Sequence, residues 1–255
     1  MRADWIVPDW PAPASVRAVC STRHRGVSLP PYDSLNLGDH VGDDAAAVAR
    51  NRSVLQAEIG TRPVFLQQVH GSAVARLDAR TPDGTQADGC VATQPGVACT
   101  IMVADCLPVL FADGAGRAVA AAHAGWRGLA GGVLEATARS LWDATGRAPH
   151  DAARTTIAWL GPCIGPSAFE VGDEVRQAFV AQEPAAAAMF QPHAPGKWLA
   201  DLQGLARLRL SSLGISAVHG NDGSDAWCSV RNASRFFSHR RDRVSGRFAA
   251  CVWLA

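Results

Sequence analysis

Residues 96–128 read GVACTIMVADCLPVLFADGAGRAVAAAHAGWRG and contain three apolar runs separated by short polar interruptions. The first run ends at Asp105, and its β-branched residues favour a buried strand. The next two runs flank DGAGR (113–117), whose Asp-Gly start is a strong hairpin signal. This stretch therefore predicts three consecutive strands, with Cys106 and His123 at or beside strand ends.

Helical and extended patterns alternate on both sides of this stretch. Apolar residues recur at three- and four-residue steps over 129–145, just before Gly146, which predicts one amphipathic helix. Further helices are predicted over 172–182, with acidic residues at the start, and over 201–214, with Asp201 as the N-terminal cap. Extended segments are predicted over 64–77, as two short strands around His70 and Gly71, over 155–160 and over 248–255. The fold class is mixed α and β.

The composition is that of an ordinary globular protein, with 48% hydrophobic and 18% charged residues. No segment resembles a linker, so the 255 residues are expected to form one domain, 1–255. A formal charge of +1 and scattered arginines argue against a nucleic-acid surface. The one dense basic run, SHRRDR (238–243), is expected to be a solvated loop before the last strand.

The sequence also bears on location. No apolar run reaches the roughly 20 residues that a membrane helix needs, and prolines and acidic residues interrupt the N-terminal stretch where a signal peptide has a continuous apolar core. Seven cysteines, an odd number without close pairing, are expected to be reduced thiols. We therefore expect a cytoplasmic protein that does not span a membrane. The sequence specifies no oligomeric state.

Several common catalytic templates are absent from the sequence. Lys197 is the only lysine and lies in the loop-like HAPGKW (193–198), which disfavours Schiff-base chemistry. The chain has no G-x-x-x-x-G-K-[ST] phosphate loop, no G-x-S-x-G elbow and no G-x-G-x-x-G motif. The usual nucleotide-binding and serine hydrolase arrangements are therefore excluded.

Three residues with metal-binding side chains lie at or beside predicted strand ends: His70, Cys106 and His123. Two histidines and a cysteine form a recognised zinc set, and three protein ligands leave a position open for water or substrate. Their separations of 36 and 17 residues match no zinc finger, so the fold must bring them together. Gly125 and Gly128 would permit close approach of a ligand. Hydrogen-bonded structural histidines and a packed cysteine are the alternative interpretation.

A set of motifs carries a family likeness: LQQVHG (66–71), VADCLPVLFAD (103–113), AAAHAGWRG (120–128), WLGPCIGPSAFEVGDEV (159–175), RFFSHRRD (235–242) and GRFAACVWL (246–254). This set resembles the YfiH family, which has been labelled polyphenol oxidase or multicopper laccase. Residues 21–52 match the same family, so the likeness covers nearly the whole chain. One departure is Arg25, which stands where the family usually has a glycine.

The resemblance implies a single-domain, layered α/β/β/α sandwich of the YfiH and deamidating-toxin type, in a cytosolic bacterial protein. It also implies a zinc site formed by His70, Cys106 and His123, which are then the catalytic residues. The implied activity is that of a purine nucleoside phosphorylase, which cleaves adenosine, inosine and methylthioadenosine with phosphate and also deaminates adenosine to inosine.

Each implied reaction needs further groups. Deamination requires a water activated by zinc to attack C6 of the purine, and a carboxylate to transfer protons. Asp105 is the nearest carboxylate in sequence, but adjacent strand residues point to opposite faces. Phosphorolysis requires a phosphate site, for which Arg23 and Arg127 are the candidates because a guanidinium binds two oxygens at once.

Two other activities compete with this interpretation. A multicopper oxidase needs a blue copper site plus a trinuclear cluster, hence roughly ten histidines, typically in His-x-His pairs. The chain has eight histidines and no such pair, so copper is expected at most in the His-Cys-His site. A metal-free cysteine hydrolase, with Cys106 as nucleophile and His123 or His70 as base, fits the same residue types and suits an amidase that edits peptidoglycan precursors.

Overall fold

A computed structural model describes residues 2–255 and contains three sheets surrounded by helices. The strands are Val16–Cys20 (β1), Arg62–Phe65 (β2), Val74–Leu77 (β3), Gly89–Ala92 (β4), Val97–Val103 (β5), Leu107–Asp113 (β6), Val119–Ala124 (β7), Thr156–Leu160 (β8), Glu170–Gly172 (β9), Phe190–Ala194 (β10), Lys197–Ala200 (β11), Ala217–Gly220 (β12) and Phe248–Leu254 (β13). The helices are Ala45–Ile59 (α1), Trp126–Ala130 (α2), Val133–Thr145 (α3), Pro149–Ala153 (α4), Asp173–Val180 (α5), Leu202–Ser212 (α6) and His239–Asp242 (α7), with a 3-10 helix over Pro184–Met189. The predicted mixed α/β class is confirmed.

Two of the sheets pack face to face. A four-stranded sheet has the order β1-β13-β5-β2, and a six-stranded sheet has the order β12-β8-β6-β7-β4-β3. Side chains such as Ile101 from the first sheet and Leu110 from the second share one buried core. The outer face of the four-stranded sheet packs on α1 through Leu55, and that of the six-stranded sheet packs on α3 and α6. These layers form the expected α/β/β/α sandwich.

The stretch 96–128 forms the centre of this sandwich. β5 belongs to the four-stranded sheet, whereas β6 and β7 form an antiparallel hairpin in the six-stranded sheet. Every residue of these three strands is buried, which explains their nearly continuous apolar composition. The turn after β5 carries the chain from one sheet to the other, so Cys106 lies at the edge between them.

One sequence-based prediction about the helices is wrong. The single helix expected over 129–145 is two helices, because Gly132 adopts φ +87° and the chain turns sharply between α2 and α3. Two short strands flank His70 as predicted, but β2 lies in the four-stranded sheet and β3 in the six-stranded one. His70 therefore lies in a loop that crosses between the sheets.

Arg25 adopts the left-handed backbone conformation that a glycine would favour. Arg25 has φ +64°, a region that costs a non-glycine residue about 1–2 kcal/mol. Its guanidinium lies 3.8 Å from the Asp4 carboxylate. Elsewhere, none of the helices within residues 2–255 combines the length and apolar character needed to cross a bilayer.

Candidate metal centre

The fold brings His70, Cys106 and His123 together, although they come from three different places in the chain. His70 lies in the crossing loop, Cys106 directly precedes β6, and His123 is on β7. One ligand atom from each lies within 4.8 Å of the other two, and Cys106 Sγ is 3.6 Å from His70 Nε2. Within residues 2–255 this is the one group of histidine, cysteine and acidic side chains with such geometry. The group could hold a metal ion.

Gly125 makes this convergence possible. A Cβ atom at this position would lie 2.8 Å from His70 Cδ2 and 2.9 Å from Cys106 Sγ, closer than real side chains approach. Gly128 is needed for a similar reason, because its Cβ would lie 3.0 Å from the carbonyl oxygen of Gly71. Gly125 therefore leaves room for the candidate ligands themselves, and Gly128 leaves room for the loop that carries His70.

Asp88 is a fully buried carboxylate that supports two of the three residues. It accepts hydrogen bonds from the backbone N–H groups of Val69, His70 and Gly71 at 2.7–3.1 Å. Its Oδ1 also lies 2.8 Å from Nδ1 of His123. These contacts hold His70 in a left-handed conformation with φ +62° and fix the imidazole plane of His123.

The charge state of Asp88 follows from these partners. Burial disfavours the carboxylate, but hydrogen bonds from the His123 ring and the Gly71 N–H outweigh it and lower the pKa of Asp88. An ionised Asp88 accepts a hydrogen bond from the Nδ1–H group of His123, which leaves Nε2 as the nitrogen available to a metal or to Cys106. This pattern of carboxylate, histidine and metal site is common in metalloenzymes.

Cys106 and His123 shift each other's ionisation. Desolvation disfavours the thiolate, but the charge of His123 and hydrogen bonds from His123 and His70 lower the pKa of Cys106 to about 6. Desolvation likewise disfavours the imidazolium, but Cys106 and Asp88 raise the pKa of His123 to about 9. Without a metal, the pair is therefore a thiolate beside an imidazolium at neutral pH.

The three residues open onto a cavity of about 390 Å³, within the range of sites that bind small ligands. Its lining includes seven apolar side chains: Met102, Val103, Ala104, Trp126, Ile164, Phe169 and Leu202. Among the other histidines, His40 and His239 also line it. Partial burial and the positive charge of Arg247 lower the pKa of His40, which favours its neutral form.

Asp105 also lines the cavity, but its carboxylate is engaged. Oδ1 accepts a hydrogen bond from the Ser229 hydroxyl, and Oδ2 accepts one from the backbone N–H of Arg240, both at 2.6 Å. Asp105 adopts φ +95° in the turn between β5 and β6, so the alternation of a strand does not apply to it. Its observed contacts are those of a residue that holds two segments together.

The basic run SHRRDR is not the loop that the sequence predicts, because residues 239–242 form the helix α7; the run is partly exposed, as expected, and contributes to the cavity. Arg240 and Arg243 from this run, and Arg247 shortly after it, line the cavity. We call these three residues the cationic wall. The run is held in place because Asp105 bonds the backbone of Arg240, a contact between residues 135 apart in sequence.

Neither of the two arginines predicted to bind phosphate lines this cavity. The Arg23 guanidinium donates to the backbone oxygens of Asp33 and Ala233 and lies in a separate surface depression. Arg127 is exposed and stacks on Trp126 at 4.4 Å. The sequence analysis did not predict a role for Asp88. Its one local signal is that this acidic residue directly precedes the buried strand β4.

Known proteins match this chain over nearly its full length. A family model described as multi-copper polyphenol oxidoreductase laccase matches residues 17–255. A purine nucleoside phosphorylase of Pseudomonas aeruginosa is 53% identical over 98% of each chain, and purine nucleoside phosphorylase YfiH of Escherichia coli is 48% identical over 98% of each chain. A crystal structure of a Neisseria meningitidis protein is similar with a TM-score of 0.91 and 46% identity, covering 98% of this chain and 99% of that one.

Proposed function

Because this chain belongs to the YfiH family, we propose that it is a zinc-dependent purine nucleoside phosphorylase that also deaminates adenosine. The names of the two bacterial relatives support the phosphorylase activity. The observation that carries the proposal is that the His-Cys-His cluster opens onto a cavity of the size of a small-ligand site. Purine nucleosides and phosphate are the proposed substrates, and seven free thiols support a reducing compartment such as the cytoplasm.

The donor set fits zinc. A thiolate and two imidazoles are ligands that zinc prefers, and three of them leave one position for another ligand. The low pKa of Cys106 favours the thiolate that a metal needs, and Asp88 directs Nε2 of His123 toward the cluster. His70, Cys106 and His123 would hold the ion. When bound, zinc would supply Lewis-acid chemistry, and copper could occupy the same donors.

The lining of the cavity contains both apolar and cationic side chains. The apolar side chains, such as Phe169 and Leu202, would pack on the purine and exclude water. In phosphorolysis, a phosphate oxygen forms a bond to C1′ of the ribose while the bond from C1′ to the purine breaks. The electron pair leaves with the purine, which takes up a proton, and the products are the free base and ribose 1-phosphate.

Product analysis tests this function. Purified zinc-loaded protein is incubated with adenosine, with and without inorganic phosphate, and the products are separated by chromatography. We expect adenine and ribose 1-phosphate only with phosphate, and inosine with ammonia in both tubes. Unchanged adenosine in every tube would overturn the proposal.

The zinc dependence has its own variant. Cys106→Ala removes the thiolate and is expected to abolish turnover and zinc retention together. Cys251→Ala is a matched control, because this buried cysteine lies on β13 and contacts Thr100 instead of the cluster. Preserved turnover in Cys106→Ala after loss of zinc would exclude the metal mechanism.

One observation favours a second candidate function. Cys106, His123 and Asp88 are arranged as nucleophile, base and orienting carboxylate, as in cysteine hydrolases. In that mechanism Cys106 Sγ attacks an amide carbonyl carbon, His123 protonates the departing amine, and water later hydrolyses the thioester. A peptidoglycan-precursor amide would be the substrate. Such an enzyme would be stopped by alkylation and unaffected by a chelator, whereas the zinc enzyme would lose activity to the chelator and recover it with zinc.

A further inference from the structure

The cationic wall places several positive charges on a cavity with little negative charge. Arg240, Arg243 and Arg247 line the cavity, and Asp105 is the one acidic residue among its lining residues within 2–255. Both oxygens of Asp105 already accept hydrogen bonds, from Ser229 and from the backbone of Arg240. The cavity therefore has an excess of positive charge that an anionic ligand would balance.

The recorded partners of the wall leave its charges uncompensated. Arg240 Nη1 donates to the carbonyl oxygen of Glu170, and Arg247 Nη1 donates to those of Ser245 and Gly246. These acceptors are neutral, so the guanidinium charges remain available. Arg243 has no recorded hydrogen bond or ion pair of its side chain within residues 2–255 and is exposed.

Arg241, in the same run, has a structural role, because its guanidinium is bound by other groups of the protein. Its guanidinium forms a two-point ion pair with Asp242 at 2.7–2.8 Å and donates to the carbonyl oxygens of Ser229 and Phe236. Its charge is therefore matched by a carboxylate and its donors are engaged. Among residues 2–255, no carboxylate forms an ion pair with Arg240, Arg243 or Arg247, so these three arginines differ from Arg241.

The backbone around Arg243 is strained. Arg243 has φ +64° and ψ −56°, and the N–H of Val244 donates to the carbonyl oxygen of Asp242 at 2.7 Å, which makes a tight γ-turn. Non-glycine residues rarely adopt this conformation, and such strain tends to occur at functional sites. The turn is held because the Arg243 N–H donates to the carbonyl oxygen of His239, in a segment that Asp105 anchors.

From these observations we infer that the cationic wall is the binding site of an oxyanion, inorganic phosphate, which is the co-substrate. Guanidinium groups bind phosphate oxygens in pairs, which suits this ligand class. The wall and the metal cluster share one cavity. Phosphate would then lie beside the nucleoside. This inference rests on the proposed phosphorylase function.

The inference is tested by measuring phosphate binding and steady-state kinetics of the zinc-loaded protein. Inorganic phosphate is titrated by calorimetry into the wild type, Arg243→Gln and Arg240→Gln, and the KM values for phosphate and adenosine are measured. Loss of a hydrogen bond to a charged group weakens binding by roughly tenfold or more. We expect that increase in the Kd and KM for phosphate in both variants, with the KM for adenosine changed less than about twofold.

Two further variants serve as controls. Arg50→Gln makes the same chemical change on the exposed surface of α1 and is expected to leave phosphate binding unchanged. Arg127→Gln tests the position that the sequence favoured. Unchanged phosphate binding in both wall variants, or weaker binding in Arg127→Gln alone, would overturn the inference. A wild type that binds phosphate at the wall but yields no adenine would instead contradict the phosphorylase function, so the two failures are distinguishable.

Discussion

Oδ1 of Asp88 lies 2.8 Å from Nδ1 of His123, and the same carboxylate accepts hydrogen bonds from three consecutive N–H groups of the loop that carries His70. One buried side chain thus positions two of the three proposed metal ligands. The third, Cys106, is positioned separately by the turn between β5 and β6.

Asp88→Asn is expected to weaken zinc binding. An amide cannot accept both the backbone N–H groups and the Nδ1 proton of His123, so the imidazole would no longer be fixed with Nε2 unprotonated. Loss of such an outer carboxylate lowers metal affinity by about 10–100-fold. Competition with a chromogenic chelator measures this affinity directly.

Asp113→Asn is the matched control for Asp88→Asn. Asp113 is also a buried aspartate, paired with Arg117 and Arg147, but it lies at the end of β6 far from Cys106. It is expected to lower stability without changing zinc affinity. Equal zinc affinity in the Asp88 variant and the wild type would show that Asp88 does not position the ligands.

Alkylation of the metal-free protein is expected to depend on pH with a midpoint near 6. The thiolate is the reactive form, and the neighbouring histidines lower the pKa of Cys106 to about 6. The rate of modification by iodoacetamide should therefore be near its plateau at pH 7 and fall as the pH drops through 6. Mass spectrometry of the peptide containing Cys106 measures the rate.

The unfolded protein provides the comparison for this experiment. In urea the cysteines lose their surroundings, and their modification should have a midpoint near the ordinary thiol value of about 8.5. The other six cysteines are buried in the folded protein and are expected to react much more slowly than Cys106. A folded-state midpoint near 8.5 for Cys106 would contradict the thiolate–imidazolium pair.

The protein is expected to bind one metal ion per chain. His70, Cys106 and His123 form the one group with metal-binding geometry within residues 2–255, whereas a multicopper oxidase needs a blue copper site and a trinuclear cluster. Metal analysis after loading with zinc, or separately with copper, measures the stoichiometry. Several tightly bound copper ions per chain would support the oxidase description of the family instead.

Gly132→Ala is expected to lower the free energy of unfolding by about 1–2 kcal/mol, because φ +87° is unfavourable for a residue with a Cβ atom. The new Cβ would meet only the Glu135 carboxylate at 3.6 Å, so the effect is confined to the backbone. Gly131→Ala is the control and is expected to cost less, since φ −78° suits alanine and its Cβ would make one close contact, 3.1 Å from the Arg127 carbonyl oxygen. Urea denaturation of both variants measures the difference, and equal losses would contradict the backbone explanation.

The sequence predicted the centre of the fold well. Strands β5, β6 and β7 are long, apolar and separated by recognisable turns, so local pattern and burial agree. Asp201 caps α6 as expected, because its side chain accepts a hydrogen bond from the Gly204 N–H. The helix break at Gly131 and Gly132 was missed because the apolar period continues across it, while the turn depends on a backbone angle.

The candidate site was only partly accessible from the sequence. His70, Cys106 and His123 stand out as residue types, but separations of 36 and 17 residues do not by themselves predict a cluster. Asp88 was missed because nothing near it in sequence indicates that it bonds a histidine on β7. The contribution of the basic run to the cavity was missed because Asp105, which anchors the backbone of Arg240, lies more than 130 residues earlier.

The position of β13 has a consequence for synthesis on the ribosome. This strand lies between β1 and β5 and pairs with both, so the four-stranded sheet cannot form until residues 248–254 have emerged. Synthesis proceeds from the N-terminus, and domains fold during it. Until β13 has been made, β1 therefore has no partner strand in that sheet. Arg240, Arg243 and Arg247 directly precede β13, so the cationic wall is completed at the same late moment.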